Sequence, residues 1–185
     1  MIEYSSLDKL IGAKLGSYHL ERLVRQGSWG PVFLAQADDV ETSFQVRLVV
    51  GSSNQVSQLH DAYLQRFQYQ ANQIAALQHP YILPLLDYGI YHGIPYLVSP
   101  HIPMRSLRER LAKSGPMDVL TIGRYLDQIA ATLEYAHQHT VLHGGLSVDC
   151  ILIRLDGQVI VEDFGMWQLL AATSNIISRA ITTVR

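Results

Sequence analysis

The hydrophobic period of this chain changes four times, and those changes limit the folds open to it. Residues 18 to 50 are rich in strand formers broken by glycine. SYHLERLV and PVFLAQA read as a hairpin around Gly27 and Gly30, DDVETS as a turn, and FQVRLVV as a third, alternating strand. From about Val56 the spacing is helical. Tyr63, Phe67, Ile74 and Leu77 recur on one stripe with Gln70, and the helix is expected to end near His79-Pro80. YILPLLDYGI and IPYLVS return to strand, joined by a turn at His92-Gly93. Ser106 to Ala112 reads as a short helix. Asp118 caps a longer one with Ile122, Tyr125, Leu126, Ile129, Leu133 and Ala136 on one face. A loop, HGGLSVDCILI, and a hairpin turned at Asp156-Gly157 follow, then Asp163-Phe164-Gly165 and a polar tail. Five strands with one helix, then helices and a loop, predict a two-lobe α+β fold with a cleft between the lobes. Residues 1–16 form a lead-in, 17–101 a first lobe and 102–185 a partial second lobe.

Composition excludes several classes. Charged residues are 16% of the chain, below the roughly 25% of an average globular protein. Part of the surface is therefore expected to be covered by another chain or by further sequence. A net charge of -2 gives no basic field for nucleic acid. The single cysteine, Cys150, rules out an intrachain disulfide and fits a reducing, cytoplasmic setting. MIEYSSLDKL lacks the layout of a secretory leader. The apolar run near residue 90 is broken by Pro84, Asp87, His92 and Pro95, so no membrane span is expected.

The order of these pieces resembles a protein kinase of the bacterial serine/threonine type, from about Tyr18 to Gly165. QGSWGPVFLA resembles the glycine-rich loop, FQVR the lysine strand, and FQYQA the helix that carries the paired glutamate. HPYILPLLDYG and GIPYLVSPHI resemble the next strands and the hinge. EYAHQHTVLHGGLSVDCILI resembles the catalytic helix and loop, and VEDFG the metal-binding triplet. The resemblance implies a five-stranded antiparallel first lobe with one helix, an incomplete helical second lobe, and ATP and magnesium as cofactors. It also implies a nucleotide site at Gly27, Gly30, Val32, Gln45, Arg47, Gln70, Ile102 and Leu152, with Asp163 as a magnesium ligand.

Several of those positions depart from the family pattern. Arg25 replaces the first glycine of the phosphate loop. The family lysine falls on Arg47 and its glutamate partner on Gln70, which turns an ion pair into at most a charge-to-amide bond. No lysine stands between Lys14 and Lys113 to take over. Gln45 takes a place the family keeps small, against adenine. In the hinge, Pro100 keeps its carbonyl and Ile102 both backbone groups, while the small Ser99 leaves space behind the pocket. After His143 the family has a basic residue and then the catalytic aspartate. Here Gly144 and Gly145 stand there, Ser147 replaces a lysine, and Cys150 replaces a metal-holding asparagine. Glycine cannot take a proton, and a thiol is a poor magnesium ligand. Asp149 and Glu162 are the only nearby substitutes as a base.

Other patterns carry weaker expectations. His137, His139 and His143, with Cys150 as a fourth ligand, have a spacing open to zinc, and the kinase resemblance explains His137 and His143 instead as packing and loop bracing. HGGL is also similar to the HGDL loop of small-molecule phosphotransferases, again without the acid. Thr173, Ser174, Ser178, Thr182 and Thr183 fall where the family has its activation segment. The family continues beyond such a segment into helices that would cover the Val119 to His137 helix. An exposed apolar patch, covered by a protein partner or a C-terminal region, is therefore expected there. The sequence leads to a kinase-like domain without phosphotransfer, with ATP held weakly or not at all, serving binding or regulation. The alternatives are an active serine/threonine kinase, using Arg47 for phosphate, Asp163 for magnesium and Asp149 as base, and a non-functional fragment.

Overall fold

The structure, a computed structural model, describes residues 10–27, 29–38, 40–49 and 60–166. The chain divides into two compact units. One comprises Met1–Asn72 and Leu85–His101, the other Gln73–Pro84 and Ile102–Arg185.

The first unit is a six-stranded antiparallel sheet in the order β1-β2-β3-β4-β6-β5. Its strands are β1 Lys14–Leu15, β2 Tyr18–Gly27, β3 Gly30–Ala37, β4 Val40–Leu48, β5 Asp87–Tyr91 and β6 Ile94–Pro100. Helix α1, His60–Ala75, begins in this unit. The family layout has five strands, so β1 is a correction to the lead-in. It pairs Leu15 with Tyr18 around Gly16, and Leu15 is fully buried with Leu20, Phe33, Val46, Leu48 and Val98. One fully buried leucine is enough to recruit a two-residue strand that has no alternation to reveal it. DDVETS is likewise only partly a turn, because β4 begins at Val40 and pairs it with Ala37. YILPLLDYGI is a strand only from Asp87. Its first residues leave this sheet, and Leu83 donates its N–H to the Val161 carbonyl at 3.0 Å in the second unit. The hairpin at His92-Gly93 has positive φ at both residues (47° and 79°), as a two-residue turn between twisted strands requires.

Gly89 is fixed by space. It lies opposite Tyr96, and a Cβ there would sit 2.5 Å from the Tyr96 hydroxyl and 2.6 Å from the ring carbon bearing it. Gly16 crowds the same hydroxyl, at 2.8 Å from a Cβ. Tyr96 is buried, and both glycines crowd its hydroxyl end. Gly89→Ala is therefore expected to lower unfolding free energy by about 1–3 kcal/mol, the usual cost of overpacking. Urea denaturation followed by circular dichroism measures it, and an unchanged midpoint would contradict this packing.

The second unit joins helices α2, Leu107–Ser114, and α3, Val119–Gln138, to a three-stranded antiparallel sheet. Its strands are β7 Met104–Ser106, β8 Ile151–Arg154 and β9 Val159–Val161. Ser106 and Glu109 form a reciprocal capping box at the start of α2. The Asp118 carboxylate accepts the Thr121 N–H (2.9 Å) and hydroxyl (2.7 Å) at the start of α3. The buried face of α3 is Tyr125, Ile129, Thr132 and Ala136, packed with Val141, Val159, Val161 and Phe164. Ile122 and Leu126 were expected on that face but are 39% and 60% exposed, and Val119 is 82% exposed. The apolar arc of α3 is wider than the face this unit covers. Helix α1 stops at Ala75 rather than near His79-Pro80, because the connector turns to bond with β9. Among the described residues no helix is long and apolar enough to cross a membrane.

Candidate functional site

In the second unit, the loop after α3 and the segment after β9 meet through the backbone. Glu162 donates its N–H to the Cys150 carbonyl (3.0 Å), and Gly165 to that of Leu142 (3.0 Å). His143 is 4% exposed and lies on the Phe164 ring, centroids 4.8 Å apart. Neither of its ring nitrogens has a hydrogen-bond partner among the described residues. Burial pushes its pKa below the ordinary imidazole value, opposed in part by the backbone of His143 and Glu162 and then by the Glu162 carboxylate. His143 is thus a packing group, neutral near pH 7.

Gly145 is exposed and presents only backbone where the family resemblance puts an acid. The next residues close on themselves through sulfur. The Cys150 Sγ accepts the Ser147 N–H at 3.1 Å and donates to the Ser147 carbonyl at 3.1 Å. The Ser147 hydroxyl accepts the Asp149 N–H (3.3 Å). Burial pushes the Cys150 thiol pKa up, and the Asp163 and Glu162 carboxylates add to this against the Ser147 hydrogen bonds. The Asp163 carboxylate is thus near enough for its charge to act on the Cys150 thiol. A protonated, hydrogen-bonded thiol does not fit magnesium, which takes hard oxygen ligands. Asp163 alone offers an oxygen donor of the two, from a residue with φ of 70°.

The candidate substitutes for a base are engaged elsewhere. Arg108 holds Asp149 in a fork, Nε to Oδ1 at 2.5 Å and Nη2 to Oδ2 at 2.8 Å. That guanidinium keeps the Asp149 carboxyl below its usual range, the wrong direction for a base. Glu162 is 3% exposed. His137 is exposed and apart from Cys150's hydrogen bonds. No group of three or more histidine, cysteine or acidic side chains among the described residues is placed to hold a metal.

In the first unit, register places Val32 opposite Arg47 and Arg47 opposite Leu97. Gln45 lies opposite both Leu34 and Ser99. Directly opposed residues share a face, so Val32, Gln45, Arg47, Leu97 and Ser99 line one side of the sheet. Arg47 is 6% exposed, and its guanidinium reaches the β2–β3 turn. A Cβ on Gly27 would lie 2.9 Å from Nη1, which is why glycine stands there. Gly30, with φ of 135°, closes the same turn. Gln70 is half-buried on α1, one residue before the buried Ala71.

The end of β6 is where the family resemblance puts the hinge. His101 donates its N–H to the Ser43 carbonyl (3.1 Å), so Pro100, one residue earlier, directs its carbonyl away from β4. Val98 points the same way, and its carbonyl takes the Leu86 N–H at 2.8 Å. The Pro100 carbonyl lies two residues farther, past the end of β5. A proline costs nothing there, since its nitrogen faces away from the partner strand. Ile102 and Leu152 belong to the second unit, where they pack with Leu83, Met104 and Ile160.

Sequence reasoning missed the Arg108–Asp149 fork, for which no local signal exists, and the sulfur bracing of the loop. The capping box was legible in Ser106-x-x-Glu109. Thr173, Ser174, Ser178, Thr182 and Thr183 lie outside the described residues.

Comparison with known proteins agrees with this fold. A family model described as protein tyrosine and serine/threonine kinase matches residues 18–184. The serine/threonine-protein kinase PrkC of Bacillus subtilis is 26% identical over 166 residues, 89% of this chain and 25% of its own length. PknL of Mycobacterium tuberculosis is 30% identical over 174 residues, 94% of this chain and 43% of its own. The chain thus spans a quarter to under half of these relatives. The crystal structure of the M. tuberculosis PknI kinase domain superposes with a TM-score of 0.72 at 21% identity, covering 84% of this chain and 61% of that one.

Proposed function

The chain belongs to the protein tyrosine and serine/threonine kinase family, and we propose that it is a member without phosphotransfer, a cytoplasmic binding or regulatory module in signalling. The observation that carries this is position 145. The loop offers a bare glycine where a base must orient and deprotonate the incoming hydroxyl. The sulfur at position 150 supports it from the metal side, being protonated and tied to Ser147. The exposed apolar arc of α3 (Val119, Leu120 and Leu126) supports a role in binding another protein surface or further sequence of its own chain.

Weak, magnesium-independent nucleotide binding is part of the proposal. The direction of the Pro100 carbonyl supports adenine contact, and Arg47 beneath the Gly27 turn supports phosphate contact, with Gln45 restricting the space. For a Kd near ~1 mM, ~5 mM ATP adds about 1 kcal/mol, or roughly 2–4 °C in Tm for a chain of this size. Differential scanning fluorimetry is expected to give that shift equally with magnesium and with EDTA, and Arg47→Met to remove it. A shift that needs magnesium would contradict the assignment of Cys150.

A further inference from the structure

The connector between α1 and β5 carries a device that phosphate chemistry does not use. Residues 77–83 lie in the second unit and are held at three places. Leu77 and Ile82 enter its core. Tyr81 and Leu83 bracket Val161 of β9, which donates to the Tyr81 carbonyl (2.8 Å) and accepts from the Leu83 N–H (3.0 Å). The third hold is on the C-terminal end of α3. The Gln78 N–H donates to the Tyr135 hydroxyl (3.1 Å), and the rings of His79, Tyr135 and His139 stack in a column. Their centroids are 5.0 and 4.2 Å apart, and Tyr81 meets His79 edge-on at 5.4 Å.

Within this column the two imidazoles differ. The His139 Nδ1 faces the Tyr135 carbonyl at 2.8 Å and must donate to it, a bond that either charge state of His139 keeps. The His79 Nδ1 faces the Tyr81 N–H at 3.3 Å and must accept from it. That bond exists only while His79 is neutral with its proton on Nε2.

We propose that His79 is an acid-sensitive latch: a proton taken up at Nδ1 breaks the Tyr81 hydrogen bond and frees the 77–83 connector from α3 and from β9. Two N–H groups cannot face each other at that distance, so the charged ring must leave the column. The groups facing it are Tyr81 from the connector and Tyr135, backed by His139, from α3. Burial, rather than a neighbouring charge, holds the His79 pKa below the ordinary imidazole value. A histidine depressed on folding stabilises above its unfolded pKa and loses that contribution as pH falls through the folded one. The latch is thus closed at neutral pH and opens in acid. Because β9 leads directly into Glu162 and Asp163, opening is felt next to the loop described above.

The test is amide hydrogen exchange on the full chain at pH 7.5 and 5.5, converted to protection factors, beside nitrogen-15 shifts of the imidazoles. Wild-type Tyr81 and Val161 amides are expected to lose protection by at least about fivefold at the lower pH, and His79 to show the neutral Nε2–H form at pH 7.5. His79→Asn, which accepts without titrating, is expected to keep protection at both values. His139→Asn is expected to leave the acid response in place. Equal protection at both pH values, an Nδ1–H tautomer, or an acid response that survives in His79→Asn would each overturn the latch. The wild-type tautomer and protection factors test the latch even where a variant fails to fold.

Discussion

Mixed with magnesium, γ-labelled ATP and a generic protein substrate, the protein is expected to transfer no phosphate above a no-enzyme control. Active kinases turn over at about 1–100 per second. Loss of a positioned base alone removes a factor of about 10²–10⁴. Here that loss, at Gly145, comes with a protonated sulfur at position 150 in place of a hard ligand. Asp149 cannot step in, because its two oxygens are held by Arg108 and its pKa lies below the usual range. Asp163→Ala is therefore expected to change nothing measurable. Gly145→Asp does not strain the backbone, since Gly145 lacks the left-handed φ of Gly144. The single graft is expected to stay at background, because the sulfur still excludes the metal. Label incorporated within about tenfold of an active relative such as PrkC, and lost in Asp163→Ala, would end the non-catalytic proposal.

The parts of this molecule that were legible in its sequence are those set by local pattern. Strand formers between glycine breaks exposed β2 and β3, and alternation exposed β4. Asp118 announced the start of α3, and His92-Gly93 and Asp156-Gly157 announced their turns. What escaped was set by contacts distant in sequence. Lys14–Leu15 is a strand only because one leucine fills a core built from four other strands. Tyr81 to Leu83 carries strand-forming residues, yet its backbone is recruited by Val161, about eighty residues away. The apolar stripe on α3 was read as one face. The unit buries only the Tyr125, Ile129, Thr132 and Ala136 side of it, and periodicity cannot say how wide a face its neighbours will cover. At the site the residue types were readable one by one, but their engagements were not. Asp149 is a candidate base until Arg108, forty-one residues back, takes both its oxygens. The residues at 143, 145, 147 and 150 therefore mark where the chain departs from the family pattern, and only the surrounding geometry shows that Arg108 holds Asp149 beside them.

Phe164→Ala is expected to lower the unfolding free energy by about 3–5 kcal/mol, the range for truncating a buried aromatic. That is a large part of the roughly 5–15 kcal/mol that holds a domain together. Phe164 is 2% exposed and packs in the core formed by Tyr125, Ile129, Ala136, Val141, Val159 and Val161. Its ring also covers His143, whose nitrogens have no hydrogen-bond partner among the described residues. Removing the ring opens a cavity with one polar wall. Water entering there would solvate His143, which recovers part of the loss and favours the lower end of the range. With a urea m-value of about 2 kcal/mol/M, the midpoint falls by roughly 1.5–2.5 M. Phe164→Leu keeps most of the volume and is expected to cost less than half as much. The double variant Phe164→Ala with His143→Leu separates the two contributions. If the ring's work is apolar packing, the second change recovers stability by filling space and removing the buried imidazole. A loss below about 1 kcal/mol for Phe164→Ala would mean that this triplet is not packed into the fold, and that its retention in a chain without a base at position 145 has some other physical cause.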